Sequence, residues 1–403
     1  MENAFTAVKV TDHVYWVGAV DWNIRDFHGY ATDRGTTYNA YLVMADRVTL
    51  IDTVKKPFMD EMLSRIASVI EPSKIDFIVS NHSEMDHSGS LPAVIEAVRP
   101  EKVFASANGR TALEEHFHMN GSVGEIADGG EIDLGNMKIT CYETRMLHWP
   151  DSMVSYLHED RLLFSQDAFG MHLASTDLFD DAHPLRLLEE EAAKYYANIL
   201  MPFSHLVLKA LERIAGLGVD IDIVAPDHGP VWRKNIGWIF DAYRRWAERE
   251  PGNKAVIFHD TMWGSTDLMA RAIADGLRAG GAGVKVLRLG SAHRSDIATE
   301  LLDAGAIVVG SPTINNQIFP TVADALTYIT GLKPKGLVGF AFGSYGWSGE
   351  SVKHIEEALA GMRVELVAEG IKVRYVPTDE DLAACRARGV ELAVKLREIS
   401  GAG

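Results

Sequence analysis

Cysteine is nearly absent: Cys141 and Cys385 are the only two in 403 residues. Two thiols cannot build a disulfide framework, a Cys-rich zinc site or a four-Cys iron–sulfur cluster. Long apolar runs are missing too, and no stretch reaches the length of a membrane span. Residues 1–10 lack the basic-then-apolar order of a signal peptide. Positive charge is scarce: 39 Lys+Arg stand against 56 Asp+Glu, a net charge of −17. Such a chain has little attraction for nucleic acid or for an anionic bilayer. These absences together predict a cytoplasmic protein with no nucleic-acid and no membrane partner.

The acidity is uneven. Residues 251–403 carry 16 Lys+Arg and 17 Asp+Glu, which leaves 23 and 39 for residues 1–250. The step falls near Pro251-Gly252, and the chain is too long for one ordinary core. We therefore expect two domains, 1–250 and 251–403.

The two parts follow different patterns. Residues 8–54 hold short β-rich segments, Val14 to Val17, Asn39 to Met44 and Val48 to Thr53, followed by a helical stretch from Phe58 to Ile70. A buried strand is expected over Ile75 to Ser80, more β structure over 135–164, helix over 184–217, and a last strand at Val224. Strand meanders with helices outside predict an α/β sandwich of two sheets. After Pro251, strands near 254–258, 284–289, 306–310, 337–342 and 373–376 alternate with helices near 266–278, 298–303, 321–330, 351–359 and 380–398. That alternation predicts a parallel, doubly wound sheet.

Four metal-seeking side chains crowd the run Asn81-His82-Ser83-Glu84-Met85-Asp86-His87 directly after the 75–80 strand. Two imidazoles and two carboxylates so close resist burial unless a cation offsets the cost. By its spacing, a loop leaving a strand can turn His82, Glu84 and Asp86 toward one centre, with His87 on the neighbouring side. His148, Asp167 and His228 follow at the ends of apolar segments, where strands could deliver them to the same sheet edge. His183, His205 and His259 are given no metal role.

The order of His-rich loop, His, Asp, His resembles the metallo-β-lactamase fold. Hydrolases of that family carry His-x-His-x-Asp-His and bind zinc; here Glu84 takes the place of the second His. Four His and three carboxylates form a mixed nitrogen and oxygen donor set suited to iron. The loop His-x-Glu-x-Asp-His with His148, Asp167 and His228 resembles the diiron site of the flavodiiron proteins. The resemblance implies His82, Glu84 and His148 on one iron, Asp86, His87 and His228 on the other, and Asp167 bridging. In some members of that family the counterpart of His87 is not a ligand. His172 and Tyr195 are candidate catalytic groups close to the irons.

The second domain adds a phosphate cradle. Thr261-Met262-Trp263-Gly264-Ser265-Thr266 leads from a strand into a helix, and helix N-termini hold anions. No Gly-x-Gly-x-x-Gly and no Walker Lys follow that strand, which favours a monophosphate. Pro312, Thr313, Ile314, Asn315, Asn316 and Gln317 form one further strand-end loop; Ser344, Tyr345, Gly346, Trp347 and Gly349 belong to another. Ligands of flavodoxin-like sheets lie at such ends, so the three loops are assigned to FMN. The segment resembles flavodoxin, which follows the metal domain in flavodiiron proteins. No rubredoxin-like Cys pairs follow before Gly403, so an appended iron module is not expected.

The resemblance thus implies a metallo-β-lactamase-like αββα sandwich followed by a flavodoxin-like sheet. It implies two irons and FMN reducing dioxygen to water, nitric oxide to nitrous oxide, or both. It also implies a head-to-tail homodimer or dimer of dimers, in which Trp347 could reach a partner's metal pocket. Rubredoxin, a flavin reductase and a reduced deazaflavin coenzyme all remain open as donors. A dizinc hydrolase with a fused flavodoxin-like domain is the main alternative; an electron carrier with a purely structural metal site is another.

Overall fold

The computed structural model describes residues 4–119 and 121–401. The expected domain limits at 1 and 403, and the start of the 1–10 stretch, lie outside the described residues. The chain divides into two compact units: Met1–Tyr195 with His205–Arg244, and Tyr196–Ser204 with Arg245–Gly403.

The first unit is built on two sheets. Seven strands run in the order Val8–Lys9, Val14–Trp16, Tyr41–Val43, Thr49–Ile51, Phe77–Val79, Lys102–Ala105 and Gly124–Glu125. Five more run Gly130–Asp133, Lys138–Glu143, Met153–Leu157, Leu162–Gln166 and Ile223–Pro226. Side chains alternate across a strand, and the cores record it. Tyr41, Val43, Ile51 and Val79 join Ile139, Leu157 and Phe164 of the second sheet in one cluster. Their neighbours Leu42, Leu50 and Ile78 point the other way, onto Met62, Ile66, Leu91, Val94 and Leu113. The last five lie in the helices Met59–Ala67, Leu91–Val98 and Ala107–Phe117.

The second unit is one parallel sheet in the order Gly283–Arg288, Lys254–His259, Ala306–Gly310, Val338–Tyr345, with Glu365–Leu366 and Ile371–Arg374 both pairing the last of these. This is the flavodoxin-like 2-1-3-4-5 order. Ile273, Leu392 and Leu396, from the helices Ser265–Ala279 and Asp379–Ser400, close one face over Ile257, Val308 and Phe340.

Several local expectations shift. The Asn39–Met44 segment is broken at Asn39-Ala40, because the Asn39 backbone N–H donates to Asp227 O (2.7 Å) instead of joining a ladder, while its side-chain Nδ2 donates to Pro226 O (2.7 Å) and Gly229 O (3.0 Å). The helical stretch 184–217 is interrupted after Tyr195 by a π turn, Tyr196–Leu200, and a 3-10 turn, Met201–Phe203. The helix expected at 298–303 starts earlier, at Arg294, because His293 and Asp296 form a capping box. The last strand ends at Arg374, which frees Tyr375 and Val376 for a cleft described below. Leu91–Val98, Lys102–Ala105, Ala107–Phe117 and Ile236–Glu248 had no counterpart in the sequence reading.

Candidate metal centre and flavin cleft

The ligand loop is clamped where it leaves the strand Phe77–Val79. Asn81 donates through its backbone N (2.7 Å) and its Nδ2 (2.8 Å) to the two oxygens of buried Asp52, and Ser155 Oγ donates to Asn81 Oδ1 at 2.6 Å. His82 follows at once. Glu84 then precedes the short helix Met85–Ser88 without capping it through its side chain. The helical turn swings Asp86 and His87 away from His82 and Glu84. The spacing argument that put Asp86 with His82 and Glu84 is corrected here: Asp86 groups with His87 and His228.

Two clusters result, His82, Glu84, His148 and Asp167 in one and Asp86, His87 and His228 in the other, each with ligand atoms within 4.8 Å. Asp167 faces both. Its Oδ2 lies 3.0 Å from His148 Nε2 and 3.3 Å from His82 Nε2, while its Oδ1 lies 3.3 Å from His87 Nε2 and 3.6 Å from His228 Nε2. Glu84 Oε2 is 3.1 Å from His148 Nε2, and Asp86 Oδ2 is 3.2 Å from His228 Nε2. His148 arrives on the loop between Lys138–Glu143 and Met153–Leu157, Asp167 at the end of Leu162–Gln166, and His228 just after Ile223–Pro226. Gly229 completes that last turn at φ 75°, and a Cβ there would meet Met171 Cγ and O at 2.7 Å.

Six of the seven side chains are buried and His148 is partly so, yet Asp86 Oδ1 and Oδ2, His87 Nε2 and Asp167 Oδ1 have no hydrogen-bond partner. Converging buried lone pairs of mixed nitrogen and oxygen type suit bound cations. The protonation pattern agrees. Burial works against charge on His82, His87 and His148, but Asp167, Glu84, Asp86 and Asp151 outweigh it and raise these imidazoles, His148 to about 9. Burial likewise opposes charge on Glu84, Asp86 and Asp167, and the imidazoles still hold them below the usual carboxylate range.

His172 and Tyr195 line the second cluster. The His172 ring is 4.7 Å from His228 and 5.1 Å from Tyr195, and its Nδ1 is 2.9 Å from Thr36 Oγ1. Burial, then His228, push His172 well below its ordinary value, so it is neutral. Burial, then Asp167, raise Tyr195.

Residues that sequence reasoning missed surround the clusters. His28 Nε2 lies 3.1 Å from Glu84 Oε1 at the tip of the hairpin Asp26–Phe27 and Tyr30–Ala31. Asp151 Oδ2 lies 3.4 Å from His82 Nδ1 and accepts from Ser83 N at 2.6 Å. Thr37 O lies 2.6 Å from His228 Nδ1. Asp227 Oδ2 stands behind His87. Only Asp227 had a signal, its place beside His228. A groove of about 650 Å³, walled by Phe27, His28, Lys55, Lys56 and Met85, reaches Glu84 and Asp86.

In the second unit a cleft of about 570 Å³ opens at the strand ends, the usual size for a small-molecule site. Of the residues expected there, Met262, Trp263 and Ser265 line it, as do Pro312, Thr313, Ile314, Asn315 and Asn316, and Ser344, Tyr345, Gly346 and Trp347. Thr261, Gly264, Thr266, Gln317 and Gly349 are not part of the lining. Thr261 Oγ1 accepts from Gly264 N (3.0 Å), and Thr266 Oγ1 lies 2.9 Å from Ser344 Oγ. Gln317 pairs with Ile314 in a small hairpin, and Gly349 turns beneath Tyr345. Ser348 of the same loop joins the lining, as do Tyr375 and Val376, which the sequence places in a strand. Gly264 precedes the helix Ser265–Ala279 at φ 91° with no side-chain cap, so the first N–H groups of the helix face outward for an anion. Trp263 and Trp347 are 94% and 85% exposed, broad rings left uncovered beside the cleft. The residues fit FMN: an uncapped helix N-terminus for the phosphate and aromatic walls for the ring.

Comparisons with known proteins agree across the chain. The family model described as "ODP family beta lactamase" matches residues 36–229, and the flavodoxin model matches 257–389. A nitric oxide reductase of Moorella thermoacetica is 47% identical over 97% of this chain and 99% of its own length. A rubredoxin-oxygen oxidoreductase of Megalodesulfovibrio gigas is 47% identical over 97% and 98%. Among solved structures, rubredoxin oxygen:oxidoreductase from Desulfovibrio gigas superposes with TM-score 0.96 at 46% identity, covering 98% of this chain and 99% of that one. The flavodiiron protein of Giardia intestinalis superposes with TM-score 0.95 at 34% identity, covering 98% of each. Among the described residues no helix is long and apolar enough to cross a membrane. With a metallo-β-lactamase-like unit, a flavodoxin unit in the matching order and full-length relatives of both, the chain belongs to the flavodiiron protein family.

Proposed function

We propose that this chain is an oxidoreductase that reduces dioxygen to water, nitric oxide to nitrous oxide, or both, at two irons fed by FMN. The observation that carries the reading is Asp167, whose two oxygens face the two donor clusters at 3.0–3.6 Å. His82, Glu84 and His148 would hold one iron, Asp86, His87 and His228 the other, with Asp167 shared. When bound, the iron pair and one FMN supply the four electrons that take dioxygen to water, or the two that join two nitric oxide molecules as nitrous oxide and water.

The chain's own part is positional. Asp52 and Asn81 fix the loop that presents His82 and Glu84. Phe27, Tyr30 and Tyr38 pack around His172 and His228 and keep bulk water from that side. His172 and Tyr195, both neutral, offer hydrogen-bonding groups beside the second cluster. In the other unit, the N-terminus of Ser265–Ala279 would take the FMN phosphate, and the loops at 312–316 and 344–347 the ring. Residues 1–250 would then be the metal-binding domain and 251–403 the FMN-binding domain.

Electrons must pass from FMN to iron over a short distance. The exposed Trp263 and Trp347 beside the cleft support a head-to-tail homodimer, alone or as a dimer of dimers, in which the flavin edge of one copy meets the metal pocket of another. The relative named for rubredoxin favours a rubredoxin-type donor over a flavin reductase or a deazaflavin. A cytoplasmic location follows from the same reading. The dizinc hydrolase alternative is disfavoured by Glu84 in the first cluster and by oxidoreductase names on both full-length relatives.

The deciding experiment loads the protein with iron and FMN, reduces it anaerobically and mixes it with dioxygen or nitric oxide in turn. Rapid reoxidation by either, with two irons and one FMN per chain, is expected. Zinc-loaded protein that hydrolyses esters without flavin would reject the proposal, and an active monomer in gel filtration would reject the dimer.

A further inference from the structure

His87 and Asp227 each carry a buried atom that lacks a hydrogen-bond partner, and the two atoms face one another. His87 Nδ1 lies 3.7 Å from Asp227 Oδ2, with the two side chains 0% and 1% exposed. That separation is beyond a hydrogen bond. The outer nitrogens of two other candidate ligands are better placed: His82 Nδ1 has Asp151 Oδ2 at 3.4 Å, and His228 Nδ1 has Thr37 O at 2.6 Å. The inner nitrogen of His87, Nε2, points into the pocket, 3.4 Å from Asp86 Oδ2 and 3.3 Å from Asp167 Oδ1. Buried orphan groups are rare enough in native proteins to need a reason.

We propose that Asp227 is the positioning residue that makes His87 an iron ligand, by accepting a hydrogen bond from His87 Nδ1–H that forms when the 3.7 Å gap closes in the iron-loaded protein. The inference rests on the diiron reading above. An imidazole offers a lone pair to a metal through one nitrogen while the other carries the proton, and the acceptor behind that proton sets tautomer and ring orientation. Asp227 is a rigid acceptor. Its N–H donates to Gln166 O at 2.9 Å, and its O accepts from Asn39 N at 2.7 Å. It is also the residue before His228. The end of the strand Ile223–Pro226 therefore serves the second iron twice, with His228 as a ligand and Asp227 behind another.

The test compares Asp227→Ala and Asp227→Asn in the wild-type and His87→Asn backgrounds, using iron- and FMN-loaded full-length protein. The readouts are iron retained against a chelator and the Mössbauer doublets of the reduced protein. Asp227→Ala is expected to weaken retention of one iron by about 10–100-fold and to move that iron's doublet toward the one seen in His87→Asn. The other doublet stays in place. Asp227→Asn keeps an acceptor oxygen and restores most of the retention. In the His87→Asn background neither change has a further effect. Equal loss of both irons, or an undiminished effect of Asp227→Ala without His87, overturns the proposal. If Asp227→Ala does not fold, the shift caused by Asp227→Asn, present with His87 and gone without it, supports the proposal, and a shift of equal size in both backgrounds overturns it. Wild-type protein that binds no iron pair refutes the diiron reading, and that is seen before any variant is compared.

Discussion

His28 Nε2 stands 3.1 Å from Glu84 Oε1, although His28 is 74% exposed and sits 56 residues earlier in the chain. The other oxygen of Glu84 meets His82 and His148. A surface hairpin thus braces one of the seven candidate ligands from outside the cluster.

That brace sets the first expectation. His28→Ala releases Glu84 Oε1, and turnover with dioxygen or nitric oxide falls by about 10-fold, the low end for loss of a ligand's support. FMN content, read by its absorbance, stays at the wild-type level because the hairpin lies in the other unit. Unchanged steady-state rates would remove His28 from the site.

Asp167 and Glu84 should differ in what their loss costs. Asp167 touches both clusters, whereas Glu84 belongs to one. Asp167→Asn is therefore expected to empty the site almost completely. Glu84→Gln should leave about one iron per chain, held by Asp86, His87 and His228. Iron analysis after gel filtration distinguishes the two, and equal losses would contradict a shared Asp167.

Metal-free protein should lose stability as pH rises. His82, His87 and His148 have folded values raised above the ordinary imidazole value, His148 to about 9. A raised folded value means the folded state holds protons that the unfolded chain has released. Their contribution is complete below about 6.5 and disappears as pH climbs toward about 9 for His148. His172 is shifted the other way, and its linkage lies below this window. Thermal melts of chelator-treated protein should therefore show Tm falling over that range. Iron-loaded protein, whose imidazoles carry metal instead of protons, should show a much flatter profile. Parallel profiles would mean that the cluster does not control stability.

Gly264 offers a clean test of the phosphate cradle. It adopts φ 91°, and a Cβ there would meet nothing within 4 Å. Gly264→Ala thus costs backbone strain alone, about 1–2 kcal/mol, and FMN affinity should drop about 10-fold. Fluorescence titration of the apoprotein measures it. Full affinity would show that the turn before Ser265–Ala279 does not shape the phosphate site.

Much of this was legible in the sequence because the signals are local. The run His82-Ser83-Glu84-Met85-Asp86-His87 is dense enough to stand out alone, and Asp167 and His228 sit at the ends of apolar strands that a reader can see. The strand and helix alternation after Pro251 is equally plain. Other features had no local trace. Spacing alone groups Asp86 with His82 and Glu84, because it does not record the helical turn Met85–Ser88 that rotates it, whereas the family resemblance groups it with His87 and His228 as the structure does. Tyr375 and Val376 looked like strand, since their apolar character suits a strand as well as a cleft wall. His28 and Asp151 meet Glu84 and His82 across 56 and 69 residues, with nothing in their own neighbourhoods to mark them.

The amino-acid order alone determined the chemistry this chain can hold: an imidazole and carboxylate donor set, a hydroxyl-rich turn before a helix, and two units of unlike composition. Those follow from residue types and short-range periodicity, which need no knowledge of distant contacts. Only the tertiary structure decided how the donors divide into two clusters and that Asp167 turns an oxygen to each. It also decided which residues stand behind the imidazoles. Such pairings depend on packing two sheets face to face, where residues far apart in the chain come within a few ångströms. Directional contacts of that kind leave no mark on either residue's local sequence.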